Sequence, residues 1–129
     1  MTLFYADDDP DEIELFGYAL RAIDESIEFI TAKNGEEALV ILQLNEPPTF
    51  IFLDINMPRR NGMEVLVDIR KISHLRDVPV MIYSSTTDEK QMKEAVKLGA
   101  TKFISKPSSV RELSKLLKSV LGVSPGGVA

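Results

Sequence analysis

The chain has 129 residues, of which 44% are hydrophobic, and carries a net charge of −5 at pH 7. This length and composition predict one soluble globular domain with a real core, and the acidic balance argues against sequence-independent nucleic-acid binding, which needs a basic surface. Because the chain has no cysteine, disulfides, thiolate metal sites and cysteine nucleophiles are excluded.

Segments typical of strands and of helices alternate from one end of the chain to the other. The first apolar run, LFYA at residues 3–6, is typical of a buried strand in a parallel sheet. Five such strands are predicted, at residues 3–6, 28–32, 49–54, 78–84 and 102–105. After each strand, apolar residues recur at helical spacing, which predicts five amphipathic helices.

Helix boundaries are marked by polar residues and glycines. Four helices are predicted to begin at capping boxes, in which a polar residue is followed three positions later by glutamate. The four pairs are Asp9 with Glu12, Asn34 with Glu37, Thr86 with Glu89, and Ser109 with Glu112. Gly99 and Gly122 are expected to adopt the left-handed conformation that ends a helix.

This alternation predicts a (βα)5 domain in which an open, doubly wound parallel sheet has helices on both faces. With the five strands in the order 2-1-3-4-5, the binding site lies where the order reverses, at the carboxyl ends of the first and third strands. The domain is expected to occupy residues 1–122, and residues 123–129 are expected to form a flexible tail.

Acidic residues follow these two strands. Asp7 and Asp8 come directly after the first strand, and Asp54 ends the third. Carboxylates that converge repel one another and gain proton affinity unless a cation neutralises them. The arrangement therefore predicts a divalent metal, and Mg²⁺ suits an all-oxygen ligand set. The backbone carbonyl of Asn56 is a candidate for a further ligand.

Two more polar side chains are expected at the same edge of the sheet. Ser84 ends the fourth strand, and Lys106 follows the fifth. Carboxylates, a metal, an ammonium and a hydroxyl together are typical of a phosphoryl-transfer site. Asp54 is the candidate nucleophile, because an aspartate can accept a phosphoryl group once its charge is screened.

At these residues the chain resembles the receiver domain of two-component response regulators. The matching stretches are YADDDP at 5–10, LDINMP at 53–58, NG at 61–62, VPV at 78–80, SS at 84–85, LGA at 98–100 and KP at 106–107. The resemblance implies a flavodoxin-like fold and phosphorylation of Asp54 by a partner histidine kinase or phosphotransfer protein. It also implies a Mg²⁺ ion held by Asp7, Asp8, Asp54 and the carbonyl of Asn56.

The resemblance further assigns a conformational switch. Ser84 would be the switch hydroxyl and Phe103 the switch aromatic, in places where the family more often has threonine and tyrosine. Lys106 would pair with the phosphate, and its bond to Pro107 is commonly cis in this family. The surface that changes would be the fourth helix, the fifth strand and the fifth helix, which carry the cations Lys90, Lys93, Lys97 and Lys102.

These observations favour a stand-alone phospho-acceptor switch that catalyses only its own phosphorylation and dephosphorylation. Its expected output is protein binding or phosphorelay, as a monomer or a phosphorylation-dependent homodimer, without nucleic-acid or membrane contact. No apolar run approaches the roughly 20 residues of a membrane span, and the chain enters its first strand at once, so a cytoplasmic location is expected.

Two other functions remain as alternatives. A phosphatase of the haloacid dehalogenase type also uses a strand-end aspartate with magnesium, but it needs a second aspartate where this chain has Asn56, and it usually carries a cap domain. A flavin carrier of similar fold needs a phosphate-binding loop after the first strand, where the acidic residues 7–9 would repel the flavin phosphate.

Overall fold

The computed structural model describes residues 1–85 and 88–122, and these alternate between strands and helices as the sequence predicts. A short 3-10 turn, Ser73–Leu75, precedes the fourth strand. The strands are β1 (Thr2–Ala6), β2 (Glu28–Ala32), β3 (Phe50–Leu53), β4 (Val80–Ser84) and β5 (Lys102–Ser105). The helices are α1 (Pro10–Ile23), α2 (Gly35–Leu44), α3 (Gly62–Lys71), α4 (Glu89–Lys97) and α5 (Val110–Leu121).

The five strands form one parallel sheet in the order β2-β1-β3-β4-β5, which confirms the predicted doubly wound topology. Ala6 at the end of β1 lies beside Leu53 at the end of β3, so the two loops that follow these strands leave the sheet side by side. Strand β4 begins two residues later than predicted, because Pro79 has no N–H to donate to the ladder.

Each face of the sheet has its own apolar core. Alternate strand residues point to opposite faces, so Phe4 packs toward α2 and α3 whereas Tyr5 packs toward α1 and α5. The helices supply fully buried side chains such as Phe16 and Leu66, each of which contributes about 1.5–3 kcal/mol of burial free energy. Both faces are covered, which holds the strand ends in fixed positions.

Two of the predicted helix starts have the expected N-cap bond, but the glutamate of each pair accepts from the N–H of the residue before the cap, Lys33 or Ser108, rather than from the cap itself. The Asn34 side chain accepts a hydrogen bond from the backbone N–H of Glu37 at 2.8 Å, and the Ser109 hydroxyl accepts one from the N–H of Glu112 at 3.2 Å. Asn61 also caps α3, through a complete capping box that sequence analysis did not predict. These bonds satisfy backbone donors that the first helical turn leaves without partners.

The other two helix starts differ from the prediction. The Asp9 side chain accepts from the N–H of Asp11, an Asx-type turn that replaces the expected capping box with residue 12. Helix α4 is capped by Asp88, and the predicted cap Thr86 lies outside the described residues. Gly99 and Gly122 have φ angles of 107° and 78°, so both glycines that end helices are confirmed.

Within the described residues, no helix is both long and apolar enough to cross a membrane.

Candidate functional site

The carboxyl ends of β1 and β3 bring three carboxylates together. Asp7 and Asp54 are buried, with exposed fractions of 0% and 6%, whereas Asp8 is exposed. One oxygen from each of the three side chains lies within 4.8 Å of the others. The backbone N–H of Asp54 donates to the carbonyl of Ala6 at 3.0 Å, which extends the β1–β3 ladder by one bond and fixes the distance between the acids.

Asp7 accepts hydrogen bonds from three donors. Its Oδ2 accepts from the Tyr5 hydroxyl and from Lys106 Nζ, the latter at 2.9 Å. Its Oδ1 accepts from the backbone N–H of Asp9 at 2.9 Å. Burial, and then the bond to Asp7, raise the pKa of the Tyr5 hydroxyl far above its ordinary value, so this phenol stays protonated and acts as a donor. A carboxylate in such a network has a fixed orientation.

The Asp54 carboxyl has an increased affinity for a proton. Burial raises its pKa from the ordinary value to about 6. The positive charge of Lys106 and the backbone N–H of Asn56 oppose this rise, while the negative charges of Asp7 and Asp8 add to it. A buried carboxylate beside like charges is the situation in which a bound cation stabilises the ionised form most.

Lys106 follows β5 and reaches back over the acids. Its Nζ lies 3.6 Å from Asp54 Oδ2 and 5.8 Å from the centre of the Tyr83 ring. Burial tends to lower the pKa of this ammonium, but the hydrogen bond to Asp7 and the charges of both acids outweigh burial and raise it. The Lys106–Pro107 peptide bond is trans, so the expected cis isomer is not found in this structure.

The two residues proposed for the switch lie on neighbouring strands. Ser84 is fully buried at the end of β4. Phe103 on β5 is half-buried and pairs with Ile82 in the strand register. Its ring lies on the α4 face of the sheet, where it lines a groove of about 590 Å³ together with Met92 and Val96. The site carboxylates and this groove are therefore joined through β4 and β5.

Two contributors to the site were missed by sequence analysis. Tyr5 was assigned to the apolar run of the first strand, although its position two residues before Asp7 puts both side chains on one face. Gly62 begins α3 so close to the loop after β3 that a Cβ there would lie 2.2 Å from the carbonyl oxygen of Asp54. The Asn-Gly pair at 61–62 was the sequence signal for a special role of Gly62.

The donor set fits a hard divalent cation. Three carboxylates face one ammonium, so the site carries an excess of negative charge. All the ligand atoms on offer are oxygens, which Mg²⁺ prefers, and Mg²⁺ needs only one or two carboxylates from the protein. A cation here would oppose the burial, and the negative charges of Asp7 and Asp8, that raise the pKa of Asp54. Asn56 follows Asp54 at the same edge of the sheet, and ligation through its carbonyl stays a prediction.

The family model of the response regulator receiver domain matches residues 3–118. Among curated proteins, the transcriptional regulatory protein CpxR homolog of Haemophilus influenzae is 37% identical over 119 residues, which cover 92% of this chain and 49% of that protein. A probable transcriptional regulator ycf27 of Cyanophora paradoxa is 37% identical over 94 residues, or 73% of this chain and 38% of that protein. The chain thus spans less than half the length of these relatives.

Solved structures agree with this assignment. The phosphorylated cyanobacterial phytochrome response regulator RcpA superposes with a TM-score of 0.84 at 27% identity, covering 92% of this chain and 89% of that chain. The chemotaxis response regulator CheY4 of Vibrio cholerae gives a TM-score of 0.81 at 28% identity, covering 92% and 97%. The flavodoxin-like fold expected from the sequence is therefore confirmed, and the chain belongs to the receiver domains of two-component response regulators.

Proposed function

We propose that this receiver domain, at residues 1–122, is a phospho-acceptor switch in which Asp54 accepts a phosphoryl group from a histidine kinase or a histidine phosphotransfer protein. The observation that carries the proposal is the convergence of Asp7, Asp8 and Asp54 with the ammonium of Lys106 at one edge of the sheet. A buried strand-end aspartate with oxygen ligands and a cation beside it has the groups that phosphoryl transfer needs.

The chemistry assigns a role to each side chain. An Asp54 oxygen attacks the phosphorus, and the bond from phosphorus to the donor nitrogen breaks with its electron pair leaving on the histidine. Lys106 is placed to donate to a phosphoryl oxygen in place of its present carboxylate partners. Asp7, Asp8, Asp54 and the Asn56 carbonyl would hold Mg²⁺, which when bound screens the negative charge of the acid and the phosphoryl group. The protein acts only on itself.

The phosphorylated state would be read at the surface formed by α4, β5 and α5. Phosphorylation adds about 1.5–2 negative charges at Asp54, and the Ser84 hydroxyl, at the end of the neighbouring strand β4, would be recruited as a donor. Movement of Ser84 would draw the start of α4 inward and let Phe103 leave its groove. Since two states a few kcal/mol apart suffice for such a shift, a modest gain of donors can drive it.

We propose that this surface binds a protein partner or a second copy of the domain. Lys90, Lys93 and Lys97 on α4, with Lys102 on β5, make it more basic than the rest of this acidic chain. The curated relatives that are named as transcriptional regulators are nearly twice as long as this chain. The net charge of −5 favours protein over nucleic acid as the direct contact of the receiver itself.

Mass spectrometry after incubation with acetyl phosphate tests the phosphoacceptor. With Mg²⁺ we expect one added phosphoryl group in the wild type and none in Asp54→Asn, which keeps the side-chain shape. Asp11→Asn is the matched control, because Asp11 is an exposed acid of the same edge outside the cluster. Equal modification in excess EDTA, or modification that persists in Asp54→Asn, would refute the proposal. Turnover of free phosphomonoesters would favour the phosphatase alternative instead.

Amide NMR with beryllofluoride and Mg²⁺ tests the switch. We expect the largest shift changes at Ser84 and Phe103 and along α4, with smaller changes on β2, which lies at the far edge of the sheet. Ser84→Ala should bind beryllofluoride but lose most of the change at Phe103. Equal changes at Phe103 in both proteins would show that the hydroxyl does not transmit the signal.

A further inference from the structure

Tyr5 lies directly behind the site on β1. Residues two apart in a strand share a face, so the ring of Tyr5 lies along the same side of the sheet as Asp7. The ring is fully buried and packs against Phe16, with ring centres 4.5 Å apart, and edge-on against Tyr83 at 5.6 Å. Its hydroxyl donates to Asp7 Oδ2. A rigid aromatic scaffold thus presents one donor to one oxygen of the acid.

The hydrogen bonds of Asp7 limit what this carboxylate can offer to a cation. A carboxylate has about four lone-pair positions, two on each oxygen. On Oδ2 both are occupied, by the Tyr5 hydroxyl and by Lys106 Nζ. On Oδ1 the backbone N–H of Asp9 occupies one. With the donors of the described residues in place, a single acceptor position on Oδ1 is left for a cation or for one of its waters.

We infer that Tyr5 is a positioning residue of the metal site, whose hydroxyl orients Asp7 so that one defined oxygen faces the divalent cation. The inference rests on the proposed function, because it presumes that the acid cluster binds Mg²⁺. Donors to the far side of a ligating group fix its orientation, and their removal typically weakens metal binding by about 10–100-fold. Tyr5 supplies such a donor from β1, the strand that ends just before Asp7.

Lys106 does not make Tyr5 redundant. The ammonium is shared between Asp7, at 2.9 Å, and Asp54, at 3.6 Å, and it is proposed to move to the phosphoryl group after transfer. Asp7 would then lose one of its two Oδ2 donors at the moment when the metal must stay bound. The Tyr5 hydroxyl is held by ring packing rather than by the acids, so it keeps Asp7 oriented in both states.

Calorimetric titration of Mg²⁺ into the purified chain tests this assignment. Tyr5→Phe removes only the hydroxyl and keeps the ring that packs on Phe16. Tyr83→Phe is the matched control, because it removes a hydroxyl from the same aromatic cluster that is not among the described donors to Asp7. We expect the Kd for Mg²⁺ to rise about tenfold in Tyr5→Phe and to stay within about twofold in Tyr83→Phe.

A kinetic measurement separates positioning from a general structural defect. In phosphorylation by acetyl phosphate, Tyr5→Phe should need about tenfold more Mg²⁺ for half-saturation, with a rate at saturating Mg²⁺ close to that of the wild type. An unchanged Kd in Tyr5→Phe, an equal loss in Tyr83→Phe, or a lowered saturating rate that Mg²⁺ does not restore would each overturn the assignment. Absence of Mg²⁺ binding by the wild type would instead overturn the proposed function on which it rests.

Discussion

Lys106 Nζ lies 2.9 Å from Asp7 Oδ2, although 99 positions separate the two residues in the chain. The lysine side chain is only 14% exposed and the aspartate side chain 1%, so the pair is largely removed from water. The bond joins the end of β5 to the end of β1 across the two strands between them. It therefore couples the middle of the sheet to the edge that is proposed to change on phosphorylation.

Replacement of Lys106 by methionine should leave two buried carboxylates without their ammonium. Removal of one partner from a buried ion pair typically lowers the free energy of unfolding by about 3–5 kcal/mol. We expect a decrease near the lower end of this range because Asp54 can take up a proton. Urea denaturation at pH 8, followed by circular dichroism, measures the loss. Lys115→Met is the control, since Lys115 is exposed on α5. Equal stability of the two variants would contradict a buried pair.

The stability of the domain should depend on the charge of Asp54. Burial raises its pKa from 3.8 to about 6, so its stabilising contribution is full below pH 3.8 and is lost as the pH rises through 6. The ionised acid then costs the fold on the order of 3 kcal/mol. We expect Asp54→Asn to be more stable than the wild type in EDTA at pH 8.

The pH profile distinguishes this effect from better packing of the amide. The advantage of Asp54→Asn over the wild type should grow by about 1 kcal/mol between pH 5 and pH 8, as measured by urea denaturation at each pH. An advantage that is the same at both pH values would mean that the Asp54 charge is not its source. Saturating Mg²⁺ should stabilise the wild type more than Asp54→Asn, which keeps only two of the three carboxylates.

Much of this site follows from local patterns in the sequence. Apolar runs place Asp7 at the end of one strand and Asp54 at the end of another, and the alternation with helices makes those strands neighbours. Both facts depend on periodicity of 2.0 and 3.6 residues and on topology rules that apply to any chain of this pattern. The convergence of the acids therefore needed no information about side-chain packing.

The features of the fold and the site that the sequence did not predict depend on contacts between distant segments or on a single side-chain atom. Tyr5 is an ordinary core aromatic in any apolar-run analysis, and only the fold shows that its hydroxyl meets a carboxylate. The start of α4 at Asp88 was missed because residues 86–88 offer several polar residues that could cap a helix. The role of Gly62 comes from the close approach of the Asp54 carbonyl, which the Asn-Gly pair at 61–62 marks as a turn without showing what lies against it.

Substitution of Gly62 by alanine should disturb the loop that carries Asp54. The added Cβ would lie 2.2 Å from the Asp54 carbonyl oxygen and 2.9 Å from its carbon, so the backbone must move. Overpacking of this kind costs about 1–3 kcal/mol, and a displacement of the nucleophile near 1 Å can slow transfer about 100-fold. We expect Gly62→Ala to be phosphorylated by acetyl phosphate at least about tenfold more slowly than the wild type.

Gly122→Ala provides the contrast. Gly122 has a φ of 78°, and no atom of the described residues lies within 4 Å of a Cβ added there, so alanine costs backbone strain, about 1 kcal/mol, without touching the site. Its phosphorylation rate should equal that of the wild type. Equal rates in all three proteins would show that the loop tolerates the added methyl group without moving Asp54.

Arg70 should hold the carboxyl end of α4 against α3. Its Nε and Nη2 donate to the carbonyl of Gly99 at 2.9 and 2.7 Å, and its Nη1 donates to the carbonyls of Val78 and Arg76 at 2.8 and 2.9 Å. Lysine cannot reproduce this forked set of donors, so Arg70→Lys should lower the free energy of unfolding by about 2 kcal/mol.

Amide hydrogen exchange measures where the loss falls. In Arg70→Lys, exchange should speed up first at Gly99 and Ala100. The control Arg76→Lys keeps the backbone carbonyl that Arg70 contacts, so it should exchange like the wild type. Faster exchange spread evenly over the sheet would mean that Arg70 supports the whole fold rather than the end of α4.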